Sequence, residues 1–146
     1  MKRNIVAKIR VLFDINVLLD VLQKKEPFYQ ISAQALSLSE SGTVDGFISA
    51  HSVTTLMYLL TKDKSPEFAK VILTSLLQFL KVVKVDQSTI EQSLNLSFKD
   101  YEDAVQVIAA LQSNLDFVVT RNPRDFPLSP VPVLQPVELL KIIQSS

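Results

Sequence analysis

The chain has 146 residues, of which 47% are hydrophobic and 21% are charged, a balance typical of one folded domain and not of a disordered segment. Its 15 basic residues equal its 15 acidic residues in number, so no overall positive field would attract nucleic acid, and any site for a polyanion must be local. Because the chain has no cysteine, thiol nucleophiles, disulfides and thiolate metal sites are excluded.

The N-terminal stretch lacks the pattern of a secretion signal or a membrane anchor. Met1–Arg3 is basic, but the apolar run that follows is interrupted by charged residues at positions 8, 10, 14 and 20. A signal peptide or a membrane span would not tolerate these charges. We therefore expect a cytoplasmic protein without membrane contacts.

Short apolar runs alternate with helical patterns along the chain. The predicted strands are Val11–Phe13, Val44–Ala50, Val82–Val85, Phe117–Thr120 and Val131–Leu134. The other segments predict helices near 17–22, 28–38, 53–60 (with Ser52 as N-cap), 65–80, 86–94 and 100–111, and Pro136 opens a last helix. Since the strands are apolar throughout rather than alternating, they predict a parallel sheet covered on both faces, in a single domain spanning residues 1–146.

Polar side chains follow three of the predicted strands. Asp14 follows the first strand and His51 the second, and the segment Thr120–Asp125 follows the fourth. In a parallel sheet the carboxyl ends of the strands share one rim, where functional groups gather near the switch in strand order. We therefore expect these side chains to lie close together.

A pair of carboxylates precedes the apolar stripe of the helix near 100–111. Asp100 and Asp103 are three residues apart, so they are neighbours on the side that continues this stripe, whereas Glu102 points toward solvent. Two interpretations stay open. The aspartates either cap the helix and interact with its dipole, or they share a buried site with a raised pKa or a bound cation.

The converging groups have the chemistry of a site for a hard cation. Aspartate oxygens with an Asn amide and a Thr hydroxyl, and no sulfur, are typical of Mg²⁺ or Mn²⁺ sites, which activate water for attack on a phosphate. Arg121 and Arg124 flank this region and are candidates to hold the phosphate. The alternatives are structural: Asp14 as a helix cap, both arginines as surface charges, and His51 as a hydrogen-bonding residue. Asp20 and Asp45 are interpreted as ordinary surface or turn residues.

Three motifs carry a resemblance to a known family. They are FDINVLLDVL (Phe13–Leu22), FKDYEDAVQVIAAL (Phe98–Leu111) and VVTRNPRDF (Val118–Phe126), followed by the strand Val131–Leu134. Their order and spacing resemble the PIN domains, metal-dependent ribonucleases that include the VapC-type toxins of toxin–antitoxin pairs. The likeness extends from about Val11 to Ile142. It implies a three-layer α/β/α fold with about five parallel strands, and endonucleolytic cleavage of RNA with Mg²⁺ or Mn²⁺.

The resemblance also assigns expected roles to individual residues. Asp14, Asp103 and Asp100 would hold the metal ion and orient water. Asn122 and Asp125 would support catalysis. The expected contacts to RNA are Asn16, Thr55, Thr120, Arg121 and Arg124. The expected partners are an RNA substrate, an antitoxin protein and a second copy of the chain.

The chain departs from the family pattern at two places. Asn122 stands where relatives often have an Asp, and there is no carboxylate between Asp45 and Asp63, where relatives place an acid that would match Thr54 or Thr55. The lost negative charge predicts a weaker metal affinity. Two outcomes stay open: a nuclease with a reduced acid set, or a weak or inactive relative that binds RNA or a protein.

Two further hypotheses complete the interpretation. A phosphoryl-accepting receiver domain or small hydrolase ranks last, because Asn16 and Arg121 occupy the places where it needs a second acid and a Lys. The pairs Leu59-Leu60, Leu76-Leu77 and Phe79-Leu80 form either a homodimer seam or part of a filled monomer core.

Overall fold

The computed structural model describes residues 7–145, and the basic segment Met1–Arg3 lies outside this range. Within residues 7–145 the strands are β1 (Arg10–Phe13), β2 (Asp45–Ser49), β3 (Leu80–Val83), β4 (Phe117–Val119) and β5 (Val133–Leu134). The helices are α1 (Ile15–Leu22), α2 (Tyr29–Glu40), α3 (Ala50–Asp63), α4 (Pro66–Leu76), α5 (Gln87–Ser93), α6 (Tyr101–Gln112) and α7 (Pro136–Gln144), with a single 3₁₀ turn at Pro123–Asp125. The predicted alternation of strands and helices is confirmed.

The five strands form one parallel sheet in the order β3-β2-β1-β4-β5. The central strand β1 pairs with β2 on one side and with β4 on the other. From β1 the chain first builds the sheet outward in one direction and later in the other. The switch in strand order therefore lies between β1 and β4, and the crevice beyond their carboxyl ends is the expected place for a functional site.

Alternating side chains of β1 serve two hydrophobic cores, as the two-residue period of a strand requires. Val11 and Phe13 point into the larger core, which α1, α2, α3, α4 and α7 cover. Leu12 points into the smaller core under α6, and α5 packs against α6. The predicted three-layer α/β/α fold is thus confirmed. Within residues 7–145, no helix has the length and apolar character needed to cross a bilayer.

Several predicted element boundaries are wrong. Helix α3 begins at Ala50 with Ser49 as its N-cap, so Ser52 lies inside the first turn, where its Oγ is 2.8 Å from Ser49 Oγ. Strand β3 begins at Leu80, two residues early, because it pairs with β2 from Gly46 onward. The helix predicted over 65–80 ends earlier, at Leu76.

The residues of the expected homodimer seam mostly fill the monomer core. Leu60, Leu76 and Leu80 are each less than 5% exposed, so these three side chains are unavailable to a partner. Leu77, by contrast, is 44% exposed. For the buried leucines the alternative of a well-filled monomer core is therefore the correct one.

Candidate active site

Asp14 lies at the switch point of the sheet. Its backbone N–H donates to the carbonyl of Val119, 2.9 Å away, which places its side chain between the ends of β1 and β4. Although Asp14 occupies the N-cap position of α1, its Oδ2 accepts a 2.7 Å hydrogen bond from Thr120 and its Oδ1 a 3.1 Å bond from Gln106. Burial raises the pKa of Asp14, and these hydrogen bonds oppose that rise.

Thr120 holds the Asp14 carboxylate from within the protein and does not face solvent. Its hydroxyl donates to Asp14 and accepts from Asn16 Nδ2 and from the backbone N–H of Asn122, each at 3.2 Å. Because Thr120 is fully buried, the expectation that it contacts RNA is wrong. Asn16 is half-buried and tied to the same hydroxyl, while Asn122 is exposed.

Asp103 meets Asp14 across one amide group. The Nε2 atom of Gln106 lies 3.1 Å from Asp14 Oδ1 and 3.3 Å from Asp103 Oδ1, so it hydrogen-bonds both carboxylates. Burial raises the pKa of Asp103 to about 7, with further contributions from the charges of Asp14, Asp100 and Asp125. The structure therefore brings together the two acids predicted from distant parts of the chain.

Asp100 and Asp125 lie at the exposed edge of the same site. Asp100 caps α6 by accepting a 2.9 Å hydrogen bond from the Glu102 N–H, so the capping interpretation holds for Asp100. It also borders a cleft of about 390 Å³ that reaches Asp103. The cleft is lined by Ser97, Lys99, Asp100, Asp103, Arg124, Asp125 and Pro127. Glu102 is exposed, as predicted.

Arg121 is committed to a buried partner. Its Nε donates to Asp20 Oδ2 at 2.6 Å, and its guanidinium lies 4.1 Å from the centre of the Phe28 ring. Asp20 is fully buried and also accepts from Ser32. The interpretation of Asp20 as a surface or turn residue is therefore wrong. Arg124, in contrast, is exposed and borders the acidic cleft.

His51 and Thr55 lie in a separate hollow beside α6. The Nε2 of His51 donates to the Glu102 carbonyl at 3.2 Å, which leaves Nδ1 to accept from Ser49. His51 is thus a hydrogen-bonding residue, as expected, and burial lowers its pKa. Thr55 donates to the His51 carbonyl. Thr54, the other candidate for the position where the resemblance implies an acid, donates to the same carbonyl, so both hydroxyls are bonded within their own helix.

The donor set fits a divalent cation with few protein ligands. Across residues 7–145, no three His, Cys, Asp or Glu side chains are grouped to hold a metal ion. Two acids with raised pKa values do meet, however, and the ion pairs in this range join other residues. Mg²⁺ is commonly held by one or two carboxylates together with waters and substrate phosphates. Asp14 and Asp103 meet that requirement.

Sequence reasoning missed two residues at this site. Gln106 lies three positions after Asp103 and hence on the same helical face, inside the buried stretch Ala104–Ala110. A lone amide there was a usable signal. Lys99 directly precedes Asp100 and lines the cleft, which only the three-dimensional arrangement reveals.

Paired acids at the switch point of a parallel sheet covered on both faces define an α/β domain with a candidate cation site. The family model described as PIN domain matches residues 10–124, which is more than half of the chain. The chain therefore belongs to the PIN domain family.

Similar proteins agree with this assignment. The chain is 24% identical over 119 residues to the protein named Ribonuclease VapC1 of Aquifex aeolicus, covering 77% of this chain and 81% of that protein. A toxin–antitoxin complex from Klebsiella pneumoniae contains a similar chain, with a TM-score of 0.66, 25% identity, and coverage of 86% of this chain and 97% of that one. For FitAcB of Neisseria gonorrhoeae, the TM-score is 0.68 at 20% identity, covering 87% and 98%.

Proposed function

We propose that this protein is a Mg²⁺- or Mn²⁺-dependent endoribonuclease and the toxin of a toxin–antitoxin pair, acting in the cytoplasm. One observation carries the proposal: Asp14 and Asp103 share a single amide donor at the switch point of the sheet, and both have a raised pKa. The similar Ribonuclease VapC1 supports the activity. The solved toxin–antitoxin complexes support the biological context.

The residues of the site divide into ligands and supports. Asp14 and Asp103 hold the ion, and Asp100 and Asp125 at the exposed edge orient water in the cleft. Thr120 fixes the Asp14 carboxylate through its 2.7 Å hydrogen bond. When bound, the ion supplies an activated water and stabilises the charge that develops on the phosphate.

Two exposed cations are placed to bind the RNA backbone. Lys99 and Arg124 line the same cleft as Asp103, so their charges offset the acids toward an approaching phosphate. Arg121, which was expected to meet the phosphate, is bound to the buried Asp20 instead. We therefore assign the phosphate contacts to Lys99 and Arg124.

Cleavage of single-stranded RNA tests the proposal. Purified protein with Mn²⁺ should cut the RNA, and a chelator should stop it. Asp14→Asn and Asp103→Asn should each lower the rate by about 100-fold or more, because each removes a ligand. Glu102→Gln, next to Asp103 but exposed, is the matched control and should cut normally. Cleavage that persists in both ligand variants would come from a contaminant and would refute the proposal.

The second candidate is a PIN-fold module that binds RNA or a protein without cutting RNA. It is favoured by the hydroxyls of Thr54 and Thr55, the two candidates for the position where an acid is expected, because both are bonded to the His51 carbonyl. This candidate predicts that RNA binding survives in a chelator and that the RNA stays intact with Mn²⁺. A gel-shift assay and a cleavage assay on the same samples separate the two functions.

A second copy of the chain is the proposed oligomeric partner. Tyr58 and Val71 are 63% and 64% exposed on the neighbouring helices α3 and α4, and Leu77 follows α4 with 44% exposure. Exposed apolar side chains on two helices in contact are candidates for an interaction site. Sedimentation should give a dimer mass for the wild type and a monomer mass for Val71→Asp. A wild-type monomer at all concentrations would refute the dimer.

A further inference from the structure

Gln106 stands at the centre of the acid pair although it carries no charge. The side chain is 2% exposed, and its one amide nitrogen donates to Asp14 Oδ1 at 3.1 Å and to Asp103 Oδ1 at 3.3 Å. A primary amide has two N–H groups, one for each acceptor. Gln106 is therefore the residue that links the two carboxylates directly.

The oxygen of the same amide makes no stabilising contact. Among the described residues, Gln106 Oε1 is buried and has no hydrogen-bond partner. An unpaired buried oxygen destabilises a fold, and an apolar side chain of similar size would avoid this loss. Packing of the core therefore does not account for a Gln here. The hydrogen bonds from its nitrogen to the two acids account for the Gln at this position.

Two ionised carboxylates repel each other and would turn apart unless something holds them. Within residues 7–145 the ion pairs are Arg121 with Asp20 and Lys84 with Asp86, so the acid pair is held by neutral donors. We propose that Gln106 is a positioning residue: its amide holds Asp14 and Asp103 together before an ion arrives, and this preorganisation raises the affinity for a divalent cation. The inference rests on the ion site of the proposed function.

Preorganisation has a measurable size. Groups that orient metal ligands typically change the affinity for the ion by about 10- to 100-fold when they are removed. Without the amide, the ion itself must overcome the repulsion between Asp14 and Asp103. We therefore expect the affinity to fall although both ligands remain in the chain.

Calorimetric titration with Mn²⁺ alone, without RNA and at pH 8, tests this inference. Gln106→Met keeps the length of the side chain and removes both N–H groups, and Gln106→Leu serves as a second variant if the first folds poorly. Gln112→Met is the matched control, because Gln112 lies on the same helix and bonds Thr89 and Ser88 away from the acids. Circular dichroism and thermal melting establish that each variant is folded.

The expected result is a Kd for Mn²⁺ about 10-fold or more weaker in the Gln106 variants and unchanged in Gln112→Met. Equal affinity in wild type and Gln106 variants, tighter binding without the amide, or equal weakening in the control would each overturn the inference. Such results leave the proposed nuclease intact. Conversely, a wild type that binds Mn²⁺ but never cuts RNA refutes the nuclease alone, and a wild type that takes up no Mn²⁺ refutes both.

Discussion

Asp14 and Asp20 are buried carboxylates six positions apart, one at the start of α1 and one within it, yet their surroundings are opposite. Asp20 meets the guanidinium of Arg121 at 2.6 Å. Asp14 is bonded to the neutral side chains of Thr120 and Gln106 and has a second acid beside it. The charge of Asp20 is thus compensated within the fold, whereas the charge of Asp14 is not.

This difference separates a structural acid from the acid that we propose as an ion ligand. A buried charge with its own cation is part of the fold, because removing either partner leaves the other unpaired. A buried acid without a cation destabilises the ion-free protein and gains its compensation from outside. Residue type and burial are the same in the two cases, so the partner decides the role.

The largest expected effect on stability comes from breaking the structural pair. Arg121→Met leaves the buried Asp20 carboxylate without its cation, so the free energy of unfolding should fall by about 3 kcal/mol. Urea denaturation measures it. Arg124→Met, at an exposed Arg, is the control and should stay within about 0.5 kcal/mol of wild type. A loss of similar size in both variants would contradict the structural role of the Asp20 pair.

Neutralising Asp14, the proposed ion ligand, should change the free energy of unfolding in the opposite direction. Asp14→Asn removes a charge that burial disfavours and keeps an oxygen for the Thr120 hydroxyl but gives up the Gln106 hydrogen bond, so the unfolding free energy in a chelator should rise by about 1 kcal/mol at most. Asp20→Asn should lower it, because Arg121 loses its partner. The same urea experiment compares them. Destabilisation by Asp14→Asn would mean that its charge is already compensated within the fold.

Changing the pH should produce an intermediate effect through Asp103. Its pKa is raised to about 7 in the folded protein from about 3.9 in the unfolded chain, so its contribution to stability is complete below pH 4 and is lost as the pH rises through 7. In a chelator this loss corresponds to roughly 1 kcal/mol, or 2–4 °C in Tm, after allowance for solvent screening of the half-exposed side chain.

Comparison with Asp103→Asn isolates this contribution. His51 acts in the opposite direction, since its pKa is lowered by burial and its charging lowers stability as the pH falls below about 6.5. Both proteins retain His51, so the difference between their melting curves from pH 5 to pH 8 reports Asp103. Mn²⁺ should restore the wild type at pH 8. Parallel curves for the two proteins would contradict a raised pKa.

The smallest expected effects concern the exposed cations of the cleft. Lys99→Ala and Arg124→Ala should each weaken RNA binding by about 1 kcal/mol or less and reduce the salt dependence of binding by about 0.7 in the log–log slope. Stability should not change. Fluorescence anisotropy at several salt concentrations measures both quantities. Lys141→Ala, at an exposed position on α7, is the control, and an equal loss there would argue against the cleft.

The fold was predictable because its signals are local. Apolar runs such as Val11–Phe13 indicate buried parallel strands, and the rule that strand ends share a rim placed Asp14 near the start of α6 without any coordinates. The errors lie where tertiary pairing decides: the first residue of β3 depends on its register with Gly46 of β2.

The site was predictable in its acids but not in their partners. The Arg121–Asp20 pair joins residues 101 positions apart, and the cations that lie near Asp20 in the sequence, Lys24 and Lys25, are exposed and are not its partner. The bridging role of Gln106 likewise depends on Asp14, which lies 92 positions away. A sequence gives the charged residues, but only the folded chain shows which groups compensate them.

The hydroxyl of Thr120 connects the 3₁₀ turn after β4 to the carboxylate of Asp14. Thr120 Oγ1 accepts from the backbone N–H of Asn122, directly before the turn, and donates to Asp14, so we expect a displacement of the turn to move the carboxylate. We expect a molecule that binds the outer surface of the turn and displaces it to shift Asp14 without entering the cleft. If the protein acts as proposed, such a molecule would inhibit it without competing for the ion.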